Sequence, residues 1–251
     1  YETPKVVVFN VLAMKYNEPQ SEAYNRMSID GMKMSSSKIG AIQASMTEEE
    51  NMLDYILPIL RYHSRWSDLS GEDVEYMFHK DKVSHNGYYM RVDVRPADGF
   101  PEPEKLSDYT LGDKAMEYLD KMRELCEENG IELVLVKSPS LYPHWYDEWD
   151  EQIVEYADKY GLDYFNYEKM ADEIGIDYNT DTYDAGLHLN LAGAEKLSKY
   201  FGEYLIENYD LTDYREDPEY AEVYAEKIRF YEEMEEAQYK ELEEYGEIIS
   251  Y

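Results

Sequence analysis

The sequence predicts an α/β fold, a doubly wound parallel sheet that continues into an acidic helical extension. Three observations lead there. Short apolar runs (Lys5 to Asn10, Ile131 to Val136 and Asp163 to Tyr167) are separated by segments of helical spacing. From Leu111 onward strand, helix, strand and helix follow one another without hairpin signals, the order in which a parallel sheet is built. After residue 209 the chain becomes a charged, tyrosine-rich amphipathic segment. The expected organisation is one α/β domain over 1–209 and a helical tail over 210–251, since 251 residues suffice for one large core.

Each element has a local reason. Lys5 to Asn10 is a continuous apolar run, which suits a buried parallel strand. Asn17 to Ser45, rich in Ser, Asn, Met and Gly, reads as a loop-like insertion with short helical pieces. Thr47, followed by Glu48, Glu49 and Glu50, is a helix start with an N-cap hydroxyl and first-turn acids, and the helix should run to about Tyr62 with a kink at Pro58. A further short helix is expected over Glu72 to Lys80, and the Gly- and Pro-containing stretch His85 to Glu104 reads as a connecting loop. Leu111, Ala115, Tyr118, Leu119, Met122 and Leu125 lie at helical spacing, and Gly130 ends that helix. Ile131 to Val136 is the clearest buried strand; Trp145 to Tyr160 is the next helix, closed by Gly161, and Asp163 to Tyr167 is a shorter strand. The tail repeats apolar or aromatic residues at Tyr220, Val223, Tyr224, Ile228, Tyr231, Met234 and Tyr239, the pattern of a long helix that packs on the domain or self-associates.

Charge narrows the function classes. A formal net charge of −32 repels phosphate backbones and anionic lipid, so neither nucleic-acid binding nor charge-driven membrane attachment is expected. The single cysteine, Cys126, allows no internal disulfide. There is no HExxH, no paired cysteine and no EF-hand loop, and Asp177, Asp181 and Asp184 lack the glycine and distal glutamate of a calcium loop. No metal and no cofactor are expected. No apolar run reaches 18 residues and no signal peptide opens the chain.

The stretch Tyr183-Asp184-Ala185-Gly186-Leu187-His188-Leu189-Asn190 carries the chemistry. A carboxylate close to an imidazole just before a helix is what a general base needs, because the acid sets the tautomer and stabilises the imidazolium. DAGLHLNLAGAEKL resembles the carboxy-terminal catalytic block of the SGNH/GDSL hydrolase superfamily, in which an Asp-x-x-His pair closes a triad. Here Asp184 stands four residues before His188, one more than that pattern, and Asp181 is the reserve acid. KVVVFNVLAMKYNEPQSEAYNRMSIDGMKMS, ILRYHSRWSDLSGEDV and IELVLVKSPSLYPHW are similar to consecutive parts of a bacterial subgroup related to the teichoic-acid D-alanine transfer protein and to polysaccharide O-acetyltransferases.

The resemblance implies a serine nucleophile on a strand and turn that precede Tyr1, and an anchor before it that places the domain outside the cytoplasm. It implies an esterase or O-acyltransferase acting on an ester, with a cell-surface glycan or teichoic acid as acceptor. The alternative is a catalytically silent binding or scaffold module. A doubly wound sheet starting at its second strand leaves an exposed apolar edge, which favours the missing-segment reading.

Reactive loops in such sheets lie at the carboxyl ends of the strands, and that rule selects further candidates. Asn10 ends the first strand and can donate its amide to an oxyanion, or is an ordinary turn residue. Ser138 and Ser140 follow the central strand as turn residues or substrate contacts, not as nucleophiles, because Ser-Pro-Ser lacks the small residues of a strained elbow. Arg61 and Arg65, four apart, can clamp an anionic group of the acceptor or pair with the surplus acids.

Overall fold

The computed structural model describes residues 3–19, 22–57, 70–71, 87–97, 102–215 and 217–249. It is an α/β structure with a three-stranded, all-parallel open sheet. In chain order the elements are β1 (Val6–Asn10), a 3-10 turn (Val11–Lys15), α1 (Glu22–Ile29), α2 (Ser36–Ser45), α3 (Met52–Ile56), α4 (Asp113–Glu128), β2 (Glu132–Lys137), α5 (Asp147–Tyr160), β3 (Asp163–Asn166), α6 (Ala171–Ile174), α7 (Leu191–Asn208) and α8 (Pro218–Tyr245).

The strands lie in the order β1-β2-β3, with Val8 opposite Val134 and Val136 opposite Phe165. β2 is central, and Leu133 to Lys137 are all buried, which is why this run reads as continuously apolar. Its residues alternate between faces. Val134 and Val136 pack with Tyr167 against Leu197, Tyr200 and Phe201 of α7, while Leu133 and Leu135 point to the opposite face and are buried there. β1 departs from the expected buried strand: among the described residues it pairs on one side only, and Val8 is 43% exposed.

The chain divides into two compact units, Tyr1–Ala13 with Val83–Leu111 and Tyr118–Tyr251, and Met14–Lys82 with Gly112–Glu117. α8 belongs with the sheet because Tyr231, Met234 and Leu242 pack on Met90, Val92, Leu191 and Ile248. Gln238, buried on the same face, accepts from Val92 N at 3.1 Å and donates to Met90 O at 3.0 Å. The first half of the helix leaves Val223, Tyr224 and Ile228 exposed.

In the smaller unit the insertion expected over Asn17 to Ser45 contains two short helices, α1 and α2, as its pattern suggested. Ser35 caps α2 by accepting from Lys38 N at 3.1 Å, and Ile42 packs with Ile29 and Tyr55. The helix start expected at Thr47 also moves. Glu50 turns back to accept from Thr47 N at 2.9 Å, and α3 begins after Asn51, whose side chain accepts from Leu53 N at 2.9 Å. A nearer side-chain cap wins. The helix expected over Glu72 to Lys80, the Pro58 kink, Arg61 and Arg65 lie outside the described residues.

One buried hub holds β3 to α5. Asp150 accepts at Oδ1 from Tyr164 (2.5 Å), Asn166 (2.8 Å) and Trp145 (3.2 Å), and at Oδ2 from Lys169 (2.9 Å). No described helix is long and apolar enough to cross a membrane.

Candidate active site at the His188 loop

The loop from Asp181 to Leu191 is anchored before it carries any chemistry. Asp181, 2% exposed, accepts at Oδ2 from Lys196 Nζ (2.6 Å) and Asp177 N (2.8 Å), and at Oδ1 from Thr180 Oγ1 (3.1 Å). Thr182 and Leu189 form an antiparallel bridge that closes the loop. Asn190 caps α7: its Oδ1 accepts from Gly193 N at 3.1 Å, and its Nδ2 donates to Thr180 O (2.8 Å) and Asp93 O (3.2 Å). The buried amide therefore satisfies three backbone groups while fixing where the helix starts.

Gly193 completes the anchor. A Cβ there would stand 2.5 Å from the Asp181 carbonyl oxygen and 3.0 Å from Leu189 Cδ2, so the backbone itself must move. Gly193→Ala is expected to destabilise the protein by about 1–3 kcal/mol, the range for overpacking a tight site, and to lower the urea midpoint accordingly. A midpoint equal to wild type would show that the loop yields freely.

At the tip two successive residues take the left-handed conformation, Ala185 with φ 64° and Gly186 with φ 94°. Such a conformation is uncommon for a residue with a Cβ, and surrounding bonds hold it. Ala185 N donates to Arg95 O at 3.1 Å, and Leu141 N donates to Gly186 O at 2.8 Å. The turn absorbs the extra residue of the Asp-x-x-x-His spacing. Asp184 reaches forward so that Oδ1 accepts from His188 N at 2.7 Å and Oδ2 meets His188 Nδ1 at 2.5 Å. Asp181 is spent on Lys196, and Asp184 faces the ring.

The His188 side chain is 59% exposed and Asp184 24%. Among the described residues no hydrogen bond is made to Nε2, and the half-exposed side chain leaves that nitrogen free to take a proton. Tyr183 stacks on the imidazole, with ring centroids 5.7 Å apart and planes 9° apart. Arg91 lies over Tyr183 at 5.2 Å and is gripped by both oxygens of Asp93 at 2.8 and 2.7 Å. The hydrogen bond to Asp93 is the main reason the Arg91 guanidinium is held above its ordinary pKa. Burial, aided by the Asp184 charge, raises the Tyr183 phenol, so this ring stays neutral.

The loop meets the carboxyl end of the sheet through the Leu141 to Gly186 bond. Here Asn10 Oδ1 accepts from Leu12 N (3.1 Å) and Ser138 N (3.4 Å), which leaves the NH₂ of its amide as the group able to donate. Lys137, fully buried, ties down the following loop by donating to Ser138 O (2.8 Å), Ser140 O (2.9 Å) and Glu168 Oε2 (2.8 Å). Burial pushes its amine below the ordinary lysine value, and Glu168 opposes that shift. Ser138 Oγ and Ser140 Oγ lie 3.1 Å apart, and neither bonds the imidazole.

Asp184 and His188 thus touch, and the loop after Ser138 is bonded to theirs. Arg61 and Arg65 fall outside the described residues. Asp177 bonds Asn179, Asp181 bonds Lys196, and no His, Cys, Asp and Glu cluster among the described residues is placed to hold a metal. Tyr183, Arg91 and Asp93 were missed by sequence reasoning. The signal available was the alternation over Tyr89 to Asp93, where Met90 and Val92 are buried and Arg91 and Asp93 turn the other way, a pattern concealed inside a Gly- and Pro-rich stretch.

Comparison with known proteins adds no family: no family model matches the chain, and neither a curated protein nor a solved structure matches it significantly.

Proposed function

We propose that the His188 loop is the base of an SGNH-type serine esterase or O-acyltransferase with a doubly wound sheet. The observation that carries this reading is the Asp184–His188 pair, with Nδ1 clamped at 2.5 Å on a side chain that is more than half exposed. A serine hydroxyl supplied by sequence preceding Tyr1 attacks the ester carbonyl while His188 Nε2 takes its proton. Asp184 keeps the remaining proton on Nδ1 and stabilises the imidazolium. The Asn10 amide NH₂ donates to the oxyanion of the tetrahedral intermediate. His188 returns the proton to the departing alcohol, leaving an acyl-serine that water or a glycan hydroxyl then resolves.

Two features support it besides the pair. Among the described residues nothing pairs with the outer edge of β1, and Val8 is exposed there, which fits a serine-bearing strand at that edge. Both faces of β2 are buried, one of them under α7, as a doubly wound sheet requires. The resemblance makes a cell-surface glycan or teichoic acid the acceptor and places the domain outside the cytoplasm.

The test is an aryl-ester assay on the 251-residue chain and on the product of its parent reading frame. The chain alone should give background rates, and the serine-bearing protein should turn over. Turnover by the chain alone that Ser138→Ala or Ser140→Ala abolishes would move the nucleophile to the β2–α5 loop. No turnover and no acyl-serine in the longer protein would leave a silent binding module as the better account.

A further inference from the structure

The Asp184 clamp holds His188 at the backbone N–H and at Nδ1, both on one side of the residue. The hydrogen bond at Nδ1 resists rotation about Cβ–Cγ but tolerates a broad range of that torsion on an exposed ring. A second restraint, on the ring face, narrows that range and so the direction of Nε2. Tyr183 supplies it, nearly parallel at 9° and 5.7 Å. Tyr183 is in turn restrained by the Arg91 guanidinium at 5.2 Å and by the edge of Tyr89 at 6.4 Å, with Arg91 fixed by the two-oxygen grip of Asp93. Arginine suits this place because its planar cation packs on an aromatic face while its N–H groups fork onto a carboxylate.

We propose that Tyr183, backed by Arg91 and Asp93, is the positioning residue that sets the plane of the His188 imidazole and so the direction of Nε2. This role deepens the esterase or acyltransferase reading, on which it rests for its consequence. Tyr183 touches neither serine nor ester; it acts through the ring. The stack gives an exposed histidine a restraint that does not require burial: one face meets Tyr183 and one edge is bonded to Asp184.

The experiment is NMR on the isotopically labelled chain with Tyr183→Leu, Tyr183→Phe and Arg91→Met. In wild type the His188 ring is expected in the rigid range, an order parameter of about 0.85, falling below about 0.6 in Tyr183→Leu and returning in Tyr183→Phe, which keeps the stack. Arg91→Met should give an intermediate loss with the backbone spectrum otherwise intact. A ring as ordered in Tyr183→Leu as in wild type overturns the proposal. Should Tyr183→Leu fail to fold, an unchanged ring in Arg91→Met overturns it equally. In the serine-bearing protein, Tyr183→Leu should lower kcat about 10- to 100-fold with KM unchanged. The ring measurement needs no turnover, so failure of the esterase reading and failure of this inference are separately visible.

Discussion

On the proposed reading, His188→Ala in a longer protein that carries the proposed serine is expected to lower kcat/KM for an aryl ester by about 10⁴-fold, near 5 kcal/mol of transition-state stabilisation. The loss should fall on kcat, because the base acts only as the proton moves and the imidazole contributes little to ground-state binding. Asp184→Asn should cost a comparable factor by a different route. Asparagine can still accept from His188 N, so the loop keeps its shape. It cannot stabilise the imidazolium, and its NH₂ can turn toward Nδ1 and favour the wrong tautomer. Asp181→Asn separates the two acids, since its partner is Lys196 and its effect should appear in stability rather than turnover. A full rate in Asp184→Asn would remove the carboxylate from the mechanism.

Asp150→Ala is expected to produce the largest loss of stability, about 3–5 kcal/mol in urea denaturation. The carboxylate is 7% exposed and takes four donors, and its removal leaves the Trp145, Tyr164 and Asn166 donors without this acceptor, while Lys169 keeps Asp147 Oδ1 at 2.7 Å. Desolvation by itself raises the Asp150 carboxyl pKa, but the hydrogen bonds from Tyr164, Lys169, Asn166 and Trp145 together outweigh it and hold the group below its ordinary value. A depressed folded pKa means that the stabilisation is fully present above the unfolded value of about 4 and is lost as pH falls through the folded value. The stability gap between wild type and Asp150→Asn should therefore be wide at neutral pH and shrink on acidification. A gap that stays constant to pH 2 would show that the charge of Asp150 contributes nothing.

The residues that sequence reasoning located are those whose partners are near in the chain. Val134 to Val136 declare a central strand because burial on both faces leaves only apolar positions, and α4 declares itself because its apolar residues recur at the helical period. His188 and Asp184 stand four apart, so one local turn decides whether they meet, and the pair can be named from the motif. Asn10 and Ser138 are the exception, 128 residues apart and suggested by the rule that reactive loops lie at the carboxyl ends of parallel strands; the structure sets them together, with Ser138 N donating to Asn10 Oδ1 at 3.4 Å. Caps were harder, as Thr47 and Asn51 both suit a helix start and the difference lies in which side chain reaches a free N–H.

By itself the sequence determined the parallel α/β class, the central strand, the acidic and therefore phosphate-repelling surface, and the carboxylate–imidazole pair, all of which depend on composition or on neighbours within one or two turns. Only the tertiary structure decided that Asp184 rather than Asp181 faces the ring, that Tyr183 stacks on it under Arg91, and that Gln238 in the terminal helix bonds Met90 and Val92 beside the site. Those contacts join segments whose approach is set by the packing of the whole unit, a free-energy balance summed over many buried side chains that no local pattern encodes.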